Sequence, residues 1–176
     1  MSQQLALLIL AEDGATALRR LAEQASAVGC NISEARGTPL GNRTAIVLLI
    51  EGTWDAVARL EQGLERLAAQ LHIELLSARV EAAPAASDHI PYAVDLSCAD
   101  KPGVLSALID FFICRDIMIM ELTARGYPAS HTGAPLFAVQ LNIGIPRDLH
   151  LAPLREEFMD FCDGLNLDAI LEPIKG

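Results

Sequence analysis

Asp100-Lys101-Pro102-Gly103 stands between an alternating apolar run, residues 92–99, and an apolar-periodic segment, residues 104–114. The change of period reads as a strand turning into a helix. Pro102 suits the first helical turn, because its φ is already helical and its missing N–H would have no partner there. Gly103 then removes a side chain that would stand between solvent and the amides of that turn. Such a helix start offers free N–H groups and the positive end of the helix dipole to a carboxylate or phosphate. Asp100 supplies an acceptor for a ligand donor or for a helix amide. The same tetrapeptide also fits a capped turn without a ligand.

The element order around this elbow occurs twice. Asp13 and Asp100 are 87 residues apart, and the same interval pairs Leu18 with Leu105, Leu21 with Leu108, Ile32 with Ile119 and Glu34 with Glu121. One shift that aligns a polar elbow, a helix face and a strand argues for two related domains. In the first, residues 5–11 form a near-continuous apolar strand, covered on one or both faces. Residues 15–28 form a helix with Leu18, Leu21, Ala22, Ala25 and Val28 on one side. Gly29 ends it. Strand 30–36, a turn at 37–42 and strand 45–50 follow, and Thr53 caps a helix whose buried stripe is Trp54, Val57, Leu60, Leu64, Leu67 and Leu71. Strand 73–80 closes a βαββαβ unit.

Residues 82–91 lack apolar periodicity and read as a linker between domains at 1–81 and 92–176. The second domain runs strand 92–99, helix 103–115, strand 117–125, strand 136–143, helix 153–163 and strand 165–171. Its loop 126–135 is longer than its counterpart and is expected to be exposed and mobile. Met118 and Met120 share one face of their strand, opposite Ile117 and Ile119. An apolar patch or a partner-covered surface is expected there.

The chain has 176 residues, of which 52% are hydrophobic and 20% charged, enough to build real cores. Its formal net charge of -10 argues against direct nucleic-acid binding, which needs clustered Lys and Arg. The apolar run at 5–10 is too short for a membrane span and has no basic flank, so a cytoplasmic protein is expected. Cys30, Cys98, Cys114 and Cys162 have no C-x-x-C spacing and are expected to be reduced thiols in packed interiors.

Two βαββαβ units, the D-x-P-G elbow at 100–103, and Gly29-Cys30-Asn31-Ile32 leading from a helix into a strand together resemble tandem ACT domains. Over residues 5–172 the chain is similar to the glycine cleavage system transcriptional repressor family. The resemblance implies an α+β fold of two tandem ferredoxin-like domains, each a four-stranded antiparallel sheet with two helices on one face. It implies side-by-side pairing of ACT sheets, here as a homodimer, and an amino acid bound between paired domains near the first strand–helix elbow. In that pattern the elbow supplies amides, and an Asn at the end of the first helix reaches the ligand from the neighbouring domain.

Carried onto this chain, the pattern splits. The second domain keeps Asp100, Lys101, Pro102, Gly103 and Val104, but Met118 stands where Asn31 would. The first keeps Asn31 and Ile32, yet its elbow reads Asp13-Gly14-Ala15-Thr16. One composite site is therefore expected, from the elbow at 100–104 with Asn31 and Ile32. A weaker one would hold Asp13, Gly14 and Met118.

An enzyme is not expected. His72, His89, His131 and His150 lie in separate segments without metal-ligand spacing, so neither a metal nor a cofactor is called for. Cys98 has no base that can be placed beside it. No glycine-rich phosphate loop occurs. The resemblance implies a regulator that senses glycine or serine and acts on transcription through a DNA-binding protein partner, with no direct contact to nucleic acid or membrane. The alternatives are a ligand-free structural or interaction module, and a regulatory subunit of an amino-acid metabolic enzyme.

Overall fold

Leu5, Leu7, Ile9 and Ala11 are buried on one side of β1 (Ser2–Ala11) in the computed structural model, which describes residues 2–81 and 88–174. The elements α1 (Gly14–Ala27), β2 (Asn31–Leu40), β3 (Arg43–Thr53), α2 (Trp54–Leu71) and β4 (Glu74–Val80) complete a first unit, Met1–Pro84. A second, Ala85–Gly176, contains β5 (His89–Ala99), α3 (Val104–Ile113), β6 (Met118–Pro128), β7 (Pro135–Pro146), α4 (Leu151–Leu165) and β8 (Asp168–Pro173). Each unit is one four-stranded sheet, β2-β3-β1-β4 or β6-β7-β5-β8, with every pair antiparallel.

The inward residues of each sheet meet the apolar stripes of its two helices. In the first unit Leu5, Leu7, Leu48 and Ile50 pack with Leu21, Leu60 and Leu64. In the second Val94, Leu141 and Ile143 pack with Leu108, Phe112 and Phe158. Burying such a side chain contributes about 1.5–3 kcal/mol. Phe111 meets Phe112 edge-on at 5.2 Å between ring centroids, an arrangement suited to the ring quadrupoles.

The repeat extends to an irregularity. Both β2 and β6 carry a β-bulge, between Ile32 and Glu34 and between Ile119 and Glu121. The extra residues, Ser33 and Met120, are themselves 87 positions apart. A bulge lets the strand take up one residue while Ile32 and Ile119 stay turned toward their cores.

Several boundaries differ from the sequence reading. Residues 37–40 belong to β2, and only Gly41-Asn42 turns, with Gly41 at φ 62°. Pro39 is tolerated because β2 is an edge strand. Residues 126–128 likewise extend β6, pairing with Phe137, Leu136 and Pro135, which leaves a loop at 129–134. Residues 89–91, read as linker, open β5, whereas 82–87 lie outside the described residues. Pro91 sits where its C=O accepts from Ile174, beyond the end of the β8 ladder, so its missing N–H removes no ladder bond.

Three side chains also depart from expectation. Trp54 is 62% exposed rather than part of the α2 stripe. As the first residue of the helix it turns toward β4, where the Arg79 guanidinium lies 5.8 Å from its ring centroid. Cys114 is exposed at the end of α3, and Cys98 is only partly buried, while Cys30 and Cys162 are in the cores. Met118 and Met120 are exposed, but the helix-free face beside them is polar, with Gln140 donating to Asp95 at 2.7 Å and Asn142 to Glu121 at 2.5 Å. The expected apolar patch on that strand is therefore confined to its edge.

Candidate functional site

The elbow at 100–104 is built by the end of β5 and the start of α3. The Asp100 N–H donates to the Pro135 carbonyl at 3.0 Å, which anchors the chain as it leaves the sheet. Pro102 lies before the helix, not in its first turn, because Gly103 at φ 92° and ψ -12° interposes a left-handed residue. These angles suit the third position of a type II turn, with proline preceding. A Cβ on Gly103 would meet nothing within 4 Å, so conformation rather than space calls for glycine here.

No side chain caps α3. The Ser106 hydroxyl donates to the Gly103 carbonyl at 2.9 Å, and the first intrahelical bond runs from Ala107 N–H to the same oxygen at 3.0 Å. Asp100 does not serve as the cap, since its Oδ2 lies 3.4 Å from where a Cβ would stand on Gly126 of β6. Asp100, Lys101, Pro102 and Gly103 are exposed, and Val104 is buried against the core. Burial, and then the Asp100 carboxylate, push the Cys98 thiol up, with Lys101 opposing. That is the reverse of what a thiolate nucleophile needs.

The elbow at 13–14 is different. Asp13 Oδ1 accepts from the Thr16 N–H at 3.0 Å, so the α1 start already holds a carboxylate of its own. That hydrogen bond keeps the Asp13 carboxyl below its ordinary value. Beside it a cleft of about 270 Å³ opens between Gly14, Ala15 and Leu18 of α1 and residues of β2 and β3 that include Ala35, Gly37, Thr44 and Ile46. Of these strand residues Gly37 read in the sequence as part of a turn at 37–42, and none was singled out as a site residue.

Asn31 is exposed at the first position of β2 and pairs with Glu51, which in turn pairs with Gln4. The elbow follows Ala11, seven residues further along β1, about 23 Å at strand rise. Asn31 therefore stands at the opposite end of the sheet from the elbow of its own domain. Met118 has the same placement in the second unit, beside Gly144 and Pro91. Ile32 packs on the first core. Within the units, then, residues 100–104 form one continuous elbow and Asp13–Gly14 another, while Asn31 and Met118 lie at the far end of each sheet.

Residues 4–77 match the family model described as ACT domain. The first unit is thus similar to an ACT domain. The second unit repeats the ACT topology strand for strand, giving an α+β tandem of ferredoxin-like domains. The chain is 25% identical over 162 residues to the glycine cleavage system transcriptional repressors of Escherichia coli (strain K12) and Shigella flexneri, covering 92% of this chain and 85% of each relative. A crystal structure provisionally assigned to such a repressor shares its fold at a TM-score of 0.76 and 22% identity, covering 100% of this chain and 99% of that one. An unknown protein from Galdieria sulphuraria does so at 0.77 and 17%, over 99% and 100%. Both curated relatives are named as transcriptional repressors. Among the described residues no group of three metal-ligating side chains converges, and no helix is long and apolar enough to cross a membrane.

Proposed function

We propose that this chain is a cytoplasmic amino-acid sensor that regulates glycine cleavage genes through a DNA-binding protein partner. The contrast between the two elbows carries the reading. The α1 start is occupied by Asp13, whereas the α3 start, behind the Pro102-Gly103 turn, has no side-chain cap and can take the carboxylate of a small amino acid, glycine or serine. Lys101 adds a positive charge at the same edge. Asn31, far from its own elbow, reaches the ligand from an adjoining domain. A net charge of -10 disfavours direct contact with DNA, which is why a partner is required.

The test is calorimetric titration with glycine, serine and a panel of other amino acids, on the wild type, Gly103→Asp and Asn31→Ala. Binding that Gly103→Asp abolishes and Asn31→Ala weakens supports the composite site. If no amino acid at millimolar concentration gives heat or thermal stabilisation, the sensor reading fails. An interaction module without a ligand then takes its place, a reading that Met118, standing where the other domain has Asn31, already favours.

A further inference from the structure

The two sheets have the same topology but opposite helix-free faces. In the second unit one row across that face reads Thr123, Gln140, Asp95 and Ile170, and the next begins Glu121, Asn142 and Ala93. The row of the first unit that corresponds to Gln140 and Asp95 is Arg36, Val47, Leu8 and Leu76. Leu8 thus replaces Asp95, Val47 replaces Gln140, and in the adjoining row Leu49 replaces Asn142. The exposures of Leu8, Val47 and Leu76 are 49%, 49% and 64%. Because the second unit folds with polar side chains at these places, the fold itself does not call for apolar ones. An apolar sheet face retained on a chain of net charge -10 marks a surface that is covered in use.

We propose that the helix-free face of β2-β3-β1-β4 is a docking surface for a second copy of this chain, packed sheet against sheet about a two-fold axis. Self-complementarity identifies the occupant. Let the axis run across the strands, between the row of Leu8 and the row of Ala6. The two rows then exchange partners, so that Leu8 of each copy lies over Ala6 of the other, and Leu76 lies over Ala78. On β1 and β4 large side chains thus meet small ones, as interdigitated sheets require, while on β3 Val47 lies over Leu49. At the β2 edge the same operation sets Arg36 over Glu34 and Glu34 over Arg36, two reciprocal ion pairs. Within one chain these side chains already lie on one face, with Arg36 Nη2 3.7 Å from Glu34 Oε2. The homodimer that the family resemblance implies thus gains a face-to-face rather than a side-by-side interface, and it does not depend on amino-acid binding.

Sedimentation equilibrium of the full chain, without amino acid, tests it at tens of micromolar. The wild type is expected at twice its 18.9 kDa mass. Leu8→Asp, a substitution the other sheet already tolerates as Asp95, is expected to be monomeric, and Asp95→Lys to remain dimeric. Arg36→Glu and Glu34→Arg are each expected to weaken the dimer, and the two combined to restore it. A monomeric wild type, or a dimer that survives Leu8→Asp, overturns the proposal. A double charge variant weaker than either single one overturns the two-fold placement. Loss of dimer in Leu8→Asp with amino-acid heats unchanged separates this surface from the sensor site.

Discussion

Gly14 rests directly against Thr44. A Cβ added to residue 14 would lie 2.6 Å from Thr44 Cβ and 2.8 Å from its Oγ1, closer than side-chain atoms approach without displacement. Helix propensity alone favours Gly14→Ala by roughly 1 kcal/mol. The clash is with a stiff β-branched side chain of β3, so the substitution is expected instead to destabilise the first unit by about 1–3 kcal/mol. Urea unfolding of Gly14→Ala, alone and with Thr44→Gly, checks this. A gain in stability from the single substitution would show that the α1 start can move.

The Asp13 cap makes the first unit sensitive to acid. Its carboxyl is held below its ordinary value in the folded protein by the Thr16 hydrogen bonds. A carboxyl depressed on folding contributes stability that is complete above its unfolded value and is lost as pH falls through its folded one. Asp13→Ala is expected to lower the melting temperature at neutral pH, and the gap from wild type is expected to close below the ordinary carboxyl range. Calorimetric melts of both proteins at a series of acid pH values test the sign.

The four thiols should separate by reactivity. Burial, reinforced by Asp163, pushes the Cys162 thiol up to about 11, and burial raises Cys30 against the pull of Arg59. Cys114 is exposed. At pH 8 a chromogenic disulfide reagent is expected to find one fast thiol in the native chain, Cys98 more slowly, and all four in denaturant. Cys114→Ser should remove the fast phase, and persistence of that phase would place it elsewhere.

The helices, their order and the interval of 87 residues were legible because apolar stripes and a repeated polar elbow are local signals. Strand ends were not. Pro39 and Gly37 carry turn chemistry, yet β2 is an edge strand that can accept them, and only partner registry reveals this. The elbow at 100–103 was found, but Pro102 could not be placed before the helix without the φ of Gly103. The apolar run at 5–10 was readable as a strand covered on one or both faces. Which sheet kept a wetted face depended on Gln140 and Asn142, and their cross-strand partners Asp95 and Glu121 are distant in sequence. Met118 and Met120, two residues apart and both exposed, stand out in the sequence, whereas Leu8, Val47 and Leu76 are scattered along the chain.

The unlike faces of the two sheets set a valence. Had Asp95, Gln140 and Asn142 also been apolar, each chain would carry two adhesive surfaces, and association could run on end to end as a fibre. Gln140 and Asp95, already bonded to each other, make the second sheet a terminus. A chain with one adhesive sheet and one wetted sheet would pair once and stop.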